Sequence, residues 1–401
     1  MLTLQEAYNQ INRRCTTELK GYRRPDGRVG FRNHVLILPT VACSYSVTQK
    51  ICSSVPGTIT LPIDSGCAML EEDIELYSDT LVNLAGNPNV AGTLVVGLGC
   101  EAITAEQAAA RIEKFKKPMR YLSIQQVGGT LRTIEEGIRL AQQLVEEAST
   151  LEPGPASVAD LMVGLNCGGS DPASGLTANT ALGVAVDRVV DQGGTAIIGE
   201  VAECVGAEEA MVQNAATEEV GRRILEVVKR FEEHVKMYGA DLSTGEPNQG
   251  NREAGLTTIE EKSLGCMRKI GSRPVVEVVE YGQIPTKKGP LFMDSPSYDA
   301  PSIAGMVAGG CQTIVFTTGL GTPFGISVSP VIKVTSNTPA YERMKDNTDI
   351  NAGTILEGRE SIGEVGERIY QMILGVANGR KTKAEELGEN QCQIWRRTVV
   401  L

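Results

Sequence analysis

The sequence contains very little histidine, and this limits the metal sites that it can build. His34 and His234 are its two histidines among 401 residues. His34 follows an arginine and an asparagine and could reach a site, whereas His234 lies in a charged helical segment and is expected at the surface. A metal site made only of imidazole ligands is therefore excluded within this chain, and such ligands would have to come from another chain.

Aromatic residues, long apolar runs and basic stretches are scarce as well. Aromatic residues make up 4% of the chain whereas glycine occurs 44 times, which favours a fold with many tight strand-to-helix turns over an aromatic-rich sandwich. No apolar run approaches the roughly 18 residues of a membrane span, and the first residues form a polar amphipathic segment rather than a signal peptide. We therefore expect a cytoplasmic protein without a membrane partner.

Charge and cysteine content narrow the class further. The net charge of -11 and the lack of a long basic stretch argue against nucleic acid as a partner, because neutralising phosphates requires clustered lysine and arginine. Ten cysteines at irregular spacings do not form the pattern of a disulfide framework, so reduced thiols are expected. Most of them need be no more than small buried hydrophobic residues, but some are available for catalysis or metal binding.

Apolar runs alternate with stretches of helical periodicity from residue 35 onward, which predicts parallel, doubly wound sheets. Strands are predicted at 35–41, 58–63, 93–98, 120–124, 160–165, 195–201, 274–281, 313–318 and 331–336, and helices at 46–54, 73–84, 104–115, 131–147, 179–191, 207–237, 303–308 and 362–377. The Pro- and Gly-containing stretch 151–155 breaks this pattern and is the predicted linker. We expect an α/β protein of two doubly wound, mainly parallel lobes, residues 1–150 with an arginine-rich N-terminal segment and residues 156–401.

Four cysteines follow predicted strands. The pentad Val-Gly-Leu-x-Cys occurs twice and ends at Cys100 and Cys167, while Cys43 and Cys67 come after the first two strands. Carboxyl ends of neighbouring parallel strands lie about 5 Å apart and form the edge where ligands bind in α/β proteins. The four thiols are therefore predicted to converge on one iron ion or an iron–sulfur cluster. No CxxC spacing supports this, and four separately buried thiols remain the alternative.

An arginine-rich segment precedes the first long strand. It contains Arg24, Arg28, Arg32 and Asn33. Because guanidinium groups bind carboxylates through two parallel hydrogen bonds, this segment is a candidate clamp for an acidic substrate. A solvated turn with internal ion pairs is an equal alternative, since Asp-Gly within the segment is a turn signal.

The second pentad runs into a glycine-rich turn. Gly168 and Gly169 would expose backbone N–H groups that can bind an anion, and the side chains of Ser170 and Asp171 would orient it. The turn has neither the GxGxxG order nor the lysine of a P-loop, so nucleotide phosphate is not specifically indicated. Capping of the following helix explains Ser170 and Asp171 equally well.

A pair of glutamates and a lysine are candidates for acid–base work. Glu200 and Glu203 lie just past a predicted strand, on the same expected edge. Paired carboxylates divide acid and base duties when their environments separate their pKa values, although the helix dipole also explains them. Lys262 belongs to a further polar set with Asn251, Thr257, Thr258 and Lys269, and a lysine in a partly dry site is a base or an anion partner.

Several long motifs resemble those of the altronate and galactarate dehydratase family, which includes the large subunit of sulfolactate sulfo-lyase. The matching stretches are GYRRPDGRVGFRN, VACS, DSGCA, NPNVAGTLVVGLGCE, NCGGSDPASGLTANTALG, TTIEEKSLG, FTTGLGTPFG, PVIKV and DINAGTI. The chain departs from the family pattern at Val201, where threonine is expected, at Ala254, where glycine is usual, and at Pro290, where leucine is expected.

The resemblance implies a lyase that depends on iron, as Fe²⁺ or an iron–sulfur cluster, or on another divalent metal. Such an enzyme removes water from the β-carbon of a sugar acid or related 2-hydroxy acid and gives a 2-keto acid. In the implied mechanism the arginine segment and the glycine turn hold the acid groups, and Lys262 or Glu203 removes the α-proton. The resemblance also implies a small histidine-bearing subunit or domain as partner, and we expect a homo-oligomer.

Other functions stay open on the sequence. A carbon–sulfur lyase subunit would release sulfite from sulfolactate with the same arginines, and a catalytically silent chain would only order a small partner. A dinucleotide-dependent oxidoreductase would also use a doubly wound sheet, but no strand-linked GxGxxG motif is present.

Overall fold

The computed structural model describes residues 18–399. Its strands are β1 (Leu19–Arg23), β2 (Val29–Gly30), β3 (His34–Pro39), β4 (Thr58–Thr60), β5 (Val90–Gly97), β6 (Met119–Ser123), β7 (Gly154–Ala156), β8 (Met162–Cys167), β9 (Thr195–Ile198), β10 (Glu277–Val279), β11 (Pro290–Met293), β12 (Thr313–Thr318), β13 (Val331–Thr335) and β14 (Ile350–Asn351).

Its α-helices are α1 (Ala42–Ser54), α2 (Glu71–Gly86), α3 (Ala105–Ile112), α4 (Ile124–Val127), α5 (Thr130–Ser149), α6 (Ala178–Asp191), α7 (Glu208–Gln213), α8 (Glu218–Met237), α9 (Gln249–Glu253), α10 (Ile259–Met267), α11 (Asp299–Gly309), α12 (Thr338–Arg343), α13 (Ile362–Ala377) and α14 (Lys383–Leu387). Within residues 18–399, no helix has the length and apolar character needed to pass through a lipid bilayer.

The first lobe is built on a four-stranded parallel sheet in the order β4-β3-β5-β6. Every residue of β5 is buried, as expected for a central strand of a parallel sheet that is covered on both faces. Helices α1 and α5 cover one face, where Ile51, Leu94 and Leu144 belong to one apolar cluster. Helices α2 and α3 cover the other face, so the sheet is doubly wound.

The second lobe is built on a seven-stranded parallel sheet in the order β10-β11-β9-β8-β12-β13-β14. The chain forms β8 first, adds β9, β10 and β11 on one side, and then crosses to add β12 on the other. The strand order therefore reverses between β8 and β12, and such a switch point opens a crevice at the carboxyl ends of the strands. Helices α6 and α13 cover one face through Leu182 and Ile369, and α11 covers the other.

A shared apolar core joins the lobes. Leu36 and Leu38 of β3 belong to the same buried cluster as Ile303 and Val307 of α11. A small antiparallel sheet, β2-β1-β7, also spans the predicted linker, because β7 starts within residues 151–155 and pairs with β1. The two lobes therefore pack as neighbours with a common interior.

The predicted fold class, two mainly parallel α/β lobes, is confirmed. The sequence missed β11, which is four residues long and too short to stand out as an apolar run. The predicted helical region 207–237 is divided, because the hydroxyl of Thr217 accepts a hydrogen bond from Val220 N and starts α8 anew. The lobe boundary at residues 151–155 stays a prediction.

Candidate active site

Cys167 and Glu200 end two neighbouring strands at the carboxyl edge of the second sheet. Cys167 is the last residue of β8, and Glu200 is the second residue after β9. The carboxylate of Glu200 accepts a hydrogen bond from the backbone N–H of Cys167 at 3.1 Å. Glu200 has a left-handed backbone with φ 66°, which costs a non-glycine residue about 1–3 kcal/mol and is typical of functional sites.

Two lysines neutralise two glutamates in what we call the buried charged cluster, which consists of Glu200, Glu203, Lys262 and Lys269. Lys269 Nζ lies 2.7 Å from Glu200 Oε2, and Lys262 Nζ lies 3.1 Å from Glu203 Oε1. Lys262 also pairs with Glu246. No member of the cluster is more than 7% exposed. Removing one partner would leave an uncompensated buried charge, which costs about 3–5 kcal/mol.

Two thiols lie against this cluster. Cys167 Sγ donates a hydrogen bond to Glu203 Oε2 at 2.8 Å and lies 3.4 Å from Cys266 Sγ. Burial, with the neighbouring Cys266, raises the pKa of Cys167 well above its ordinary value, so it is a thiol at neutral pH. Among the described residues, Cys167, Glu203 and Cys266 are a group of metal-capable side chains whose donor atoms lie within 4.8 Å of one another.

The charges of the cluster separate the acidities of its two glutamates. Burial and the charge of Glu203 raise the pKa of Glu200. Burial acts in the same direction on Glu203, but the ammonium groups of Lys262 and Lys269 outweigh it and lower the pKa of Glu203. Burial would favour a neutral Lys262, yet its carboxylate partners raise the pKa of Lys262. Lys262 therefore stays protonated and cannot serve as a base at neutral pH.

Asp299 connects the buried charged cluster to the surface. It is half-buried at the first position of α11 and accepts a hydrogen bond from Asn166 Nδ2 at 3.0 Å. A Cβ atom on Gly168 would lie within 3.0 Å of its carboxylate, so Asp299 faces the turn after β8. Burial and the charge of Glu203 raise the pKa of Asp299 to about 7. A carboxyl group of this kind exchanges its proton near neutral pH, as a general acid or base must.

Close packing of α10 against the turn after β8 brings the two lysines to the cluster. Lys262 and Lys269 are seven residues apart, so two helical turns place them on one side. A Cβ atom on Gly175 would lie 2.8 Å from the Cα atom of Gly265 in α10. The absence of a side chain at both positions therefore permits the approach. A cavity of about 30 Å³ remains beside Lys262 and Cys266, which is room for a water molecule but not for a sugar acid.

The predicted turn residues Ser170 and Asp171 are held in place by the surrounding protein. Ser170 is 3% exposed, and its hydroxyl is 4.0 Å from Cys167 Sγ. The Asp171 carboxylate accepts hydrogen bonds from three side chains, those of Ser174, Ser336 and Asn337. Asp171 therefore joins the turn to the end of β13, and its oxygens are engaged within the fold.

The two predicted glycines have different surroundings. Gly168 lies beside Asp299 and the ring of Phe316. Gly169 has φ 63°, and its carbonyl accepts hydrogen bonds from the backbone N–H groups of Gly319 and Leu320. The turn after β8 is thus fastened to the loop after β12, across the switch point of the sheet.

The predicted arginine clamp lies at the opposite edge of the first sheet and is not brought together with the cluster. Arg24 donates to the carbonyl of Pro88 at 2.7 Å, Arg28 to that of Gly86 at 2.7 Å, and Arg32 pairs with Glu385 at 2.9 Å. Asn33 donates to the carbonyl of Ala148 at 2.8 Å. These residues precede β3, so they lie at the amino ends of the strands, about one strand length from the carboxyl edge.

The four predicted thiols do not gather in one place. Cys167 is buried in the second lobe, whereas Cys43, Cys67 and Cys100 are exposed in the first. The expectation treated all four strand ends as one edge, but the strands belong to two separate sheets. The prediction that all four cysteines share one centre is therefore wrong. Cys167 lies in the second lobe, and the other three lie in the first.

A groove runs between the lobes. Its walls include Asp64, three residues before Cys67, and Tyr298, next to Asp299. Arg396 contributes a guanidinium group to the same groove. The segment around it fastens the lobes together, because Arg397 N donates to Asp73 of α2 while its guanidinium binds Asp294 after β11.

Sequence reasoning missed three residues of this site. Cys266 shares a side with Lys262 and Lys269 at helical spacing, a signal that is available once α10 is recognised as a helix. Asp299 follows the unpredicted β11, so its place at the carboxyl edge was hidden. Arg396 belongs to a tail whose position depends on long-range contacts.

Comparison with known proteins shows that the chain belongs to the galactarate and altronate dehydratase family. The family described as "D-galactarate/Altronate dehydratase, C-terminal" matches residues 158–400, and "D-galactarate dehydratase/Altronate hydrolase, second domain" matches residues 21–149. The resemblance found in the sequence is confirmed, and the protein falls within a family of dehydratases and lyases.

The similar proteins cover most of the chain. It is 35% identical to the (2R)-sulfolactate sulfo-lyase subunit beta of Chromohalobacter salexigens, over 94% of this chain and 96% of that subunit. It is 33% identical to the altronate dehydratase of Bacillus subtilis, over 99% of this chain and 80% of that enzyme. It is 35% identical to the galactarate dehydratase (L-threo-forming) of Escherichia coli, over 94% of this chain and 76% of that enzyme.

Proposed function

We propose that the protein is a hydro-lyase that removes water from a sugar acid or related 2-hydroxy acid and gives a 2-keto acid. The observation that carries this proposal is Asp299, a half-buried carboxyl group whose pKa is raised to about 7 beside the buried charged cluster. Family membership supports the reaction class. Elimination requires a group that moves a proton near neutral pH, and Asp299 meets this requirement.

In the proposed reaction the substrate lies in the groove between the lobes. The ionised Asp299 carboxylate takes the α-proton as the α C–H bond breaks and a C=C bond forms. Asp299 then gives that proton to the departing hydroxyl, which leaves as water when the β C–O bond breaks. The resulting enol tautomerises to the 2-keto acid. Arg396 binds the substrate carboxylate, because a guanidinium group in a partly dry groove is well suited to a bidentate contact.

The buried charged cluster acts through Asp299 rather than on the substrate. Glu200, Glu203, Lys262 and Lys269 are too deeply buried for contact with a sugar acid. The negative charge of Glu203 holds the proton on Asp299, while the lysines fix that charge in place. These four are therefore positioning residues, and the earlier idea of Lys262 as base is replaced.

A divalent metal, or iron in a cluster, would supply Lewis acidity toward the substrate hydroxyl or carboxylate. The donors of Cys167, Glu203 and Cys266 suit a soft metal, but Lys269 Nζ is already 2.7 Å from Cys167 Sγ and Lys262 neutralises Glu203. This trio is thus occupied by the protein's own cations. The thiols of Cys43, Cys67 and Cys100 in the first lobe are exposed, so a metal could reach them more easily.

A carbon–sulfur lyase is the second candidate, and one observation favours it. The chain is similar to the (2R)-sulfolactate sulfo-lyase subunit beta, with 35% identity over 94% of this chain. The name of that relative is that of one subunit, so a carbon–sulfur lyase of this kind would work with a small partner, and the partner proposed here bears histidines, of which this sequence has two. Sulfite would then leave the β-carbon in place of water.

The test is an anaerobic assay of the iron-loaded protein, with and without a small subunit, against a panel of sugar acids and sulfolactate. Formation of 2-keto acid without sulfite supports the hydro-lyase, and release of sulfite supports the second candidate. Asp299→Asn should lower kcat about 10²–10⁴-fold, whereas the exposed Asp346→Asn should not. Absence of turnover with every substrate and partner would reject both lyase proposals and would support a catalytically silent scaffold.

A further inference from the structure

Two buried thiols of the second lobe are in contact with each other, and the proposed reaction uses neither. Cys167 ends β8, and Cys266 lies in the last turn of α10, 99 positions further along the chain. Their sulfur atoms are 3.4 Å apart, and the two residues are 2% and 1% exposed. Most buried cysteines pack as small hydrophobic residues. These two lie instead among charged side chains, which indicates a chemical use.

The two sulfur atoms are close enough to bond after a small movement. A disulfide bond is about 2.05 Å long, so the atoms must approach each other by about 1.4 Å. Rotation about the Cα–Cβ bonds moves a cysteine sulfur by such a distance. The close packing of Gly175 against Gly265 holds α10 beside the turn after β8, so the two thiols stay next to each other.

Cys167 has a proton acceptor and a cation beside its sulfur. Its thiol donates a hydrogen bond to Glu203 Oε2 at 2.8 Å, and Lys269 Nζ lies 2.7 Å from the same sulfur. A thiol reacts as a nucleophile only after it loses its proton, and an adjacent base or a neighbouring cation promotes this step. Cys167 is therefore equipped to attack an oxidised sulfur that lies next to it.

A small cavity gives an oxidant access to Cys266. The cavity of about 30 Å³ beside Lys262 has Cys266 and Ser170 in its walls. A cavity of this size admits a water molecule, and hydrogen peroxide is only slightly larger than water. Bulky oxidants such as glutathione disulfide have no room there. Cys266 is therefore the thiol that meets the oxidant, and Cys167 is the thiol that meets Cys266.

We propose that Cys167 and Cys266 are a reversible redox pair, which hydrogen peroxide converts into a disulfide bond. The Cys266 sulfur attacks one peroxide oxygen, the O–O bond breaks, and a sulfenic acid and one water are formed. The Cys167 sulfur then attacks the Cys266 sulfur as its own proton passes to Glu203. The hydroxide of the sulfenic acid leaves with that proton as a second water. The two thiols together lose two electrons, and the peroxide gains them.

The charge balance of the site favours a disulfide over further oxidation. Two neutral thiols become a neutral disulfide, so the buried charged cluster keeps its balance. A sulfinate would add a negative charge to a dry site, which is costly. The new bond removes the thiol that donates to Glu203, but this carboxylate keeps Lys262 at 3.1 Å and Lys269 at 3.7 Å.

The experiment is peroxide treatment of the folded, reduced full chain, followed by alkylation of the remaining thiols in urea and tryptic mapping without a reductant. Trypsin releases residues 140–188 and 263–268 as two peptides, which contain Cys167 and Cys266 as their only cysteines. We expect these two peptides to be joined in most chains. Treatment with dithiothreitol should then lower the joined fraction about tenfold or more.

Variants distinguish this pair from the other thiols. Cys167→Ala and Cys266→Ala should each abolish the joined peptide, whereas Cys311→Ala, at an equally buried position, should retain it. Circular dichroism shows whether each variant folds. Mapping of the wild type needs no variant, so it decides the question even where a variant does not fold.

Several results would overturn the inference. Both thiols still free after long treatment with excess peroxide would do so, as would a sulfinic acid on either cysteine without the joined peptide. A disulfide from Cys167 or Cys266 to an exposed cysteine would also reject it, and so would a joined peptide that forms only in chains unfolded before treatment. No readout involves turnover, so failure here leaves the proposed lyase untouched, and an inactive protein with the joined peptide contradicts only the lyase.

Discussion

Lys269 Nζ lies 2.7 Å from Cys167 Sγ, and both side chains are almost fully buried. The same ammonium group also contacts Glu200 Oε2 at 2.7 Å, so one cation serves a thiol and a carboxylate at the ends of two adjacent strands. The buried ammonium group is stable only while the carboxylates beside it, Glu200 and Glu203, carry negative charge. The second lobe therefore depends on charge balance at its centre.

Lys269→Met should destabilise the fold by about 3–5 kcal/mol, because Glu200 then loses its counter-charge in a dry environment. The double variant Lys269→Met/Glu200→Gln should recover a large part of this loss, since it removes both charges together. The free energy of unfolding from urea titrations measures both effects. Equal destabilisation in the single and double variants would show that the ion pair is not what stabilises this region.

The raised pKa of Asp299 predicts a pH-dependent stability difference. Its pKa is 3.8 in the unfolded reference and about 7 in the fold, so between these values the unfolded chain ionises Asp299 while the folded chain does not. The wild type therefore loses stability as pH rises through this window, by up to about 1.4 kcal/mol per pH unit, and Asp299→Asn does not.

Urea unfolding of both proteins at several values between pH 4 and pH 8 tests this. The stability of Asp299→Asn relative to the wild type should grow up to about pH 7 and then level off. The exposed Asp346→Asn serves as the control and should show no such trend. A difference that is constant across the range would mean that Asp299 has an ordinary pKa in the fold.

Two arginines should separate stability from substrate binding. Arg24→Gln should lower the free energy of unfolding by about 1.5–3 kcal/mol, because the guanidinium group donates to the buried carbonyl of Pro88, and it should leave KM unchanged. Arg396→Gln should raise KM about tenfold with little loss of stability, since it lines the groove. A raised KM in Arg24→Gln, with an unchanged KM in Arg396→Gln, would instead support the arginine segment as the anion clamp.

Gly168 should tolerate no side chain. A Cβ atom there would lie 2.8 Å from Phe316 Cζ and 2.9 Å from Asp299 Oδ1, so Gly168→Ala must displace Asp299. We expect a loss of about 1–3 kcal/mol of stability and at least a tenfold fall in kcat. Gly154→Ala, where a Cβ atom meets nothing within 4 Å, is the matched control. Normal kcat in Gly168→Ala would remove Asp299 from the proposed chemistry.

The sequence predicts local features of this protein well, because they depend on local patterns. The strand at 313–318 matches β12, and the predicted helix at 362–377 matches α13. Cys167 and Glu200 were placed at strand ends by the same reasoning, and the structure has them there. The spacing of apolar residues within a short stretch of sequence is enough for such predictions.

The long-range arrangement could not be read from the pattern. Cys100 and Cys167 end near-identical pentads, yet Cys100 follows β5 of the four-stranded sheet and Cys167 ends β8 of the seven-stranded sheet. Which strands pair is decided by packing between distant segments, and a pentad contains no information about it. The prediction that the arginine segment clamps the substrate at the same site was wrong for a related reason. A residue before a strand and a residue after it lie at opposite edges of the sheet.

The residues that complete the groove come after every strand of both sheets in the order of the chain. Arg397 binds Asp73 in the first lobe and Asp294 in the second, and Arg396 beside it lines the cleft. On a ribosome the two sheets can therefore form while this wall is still missing. The groove would then be completed only after both sheets have been made.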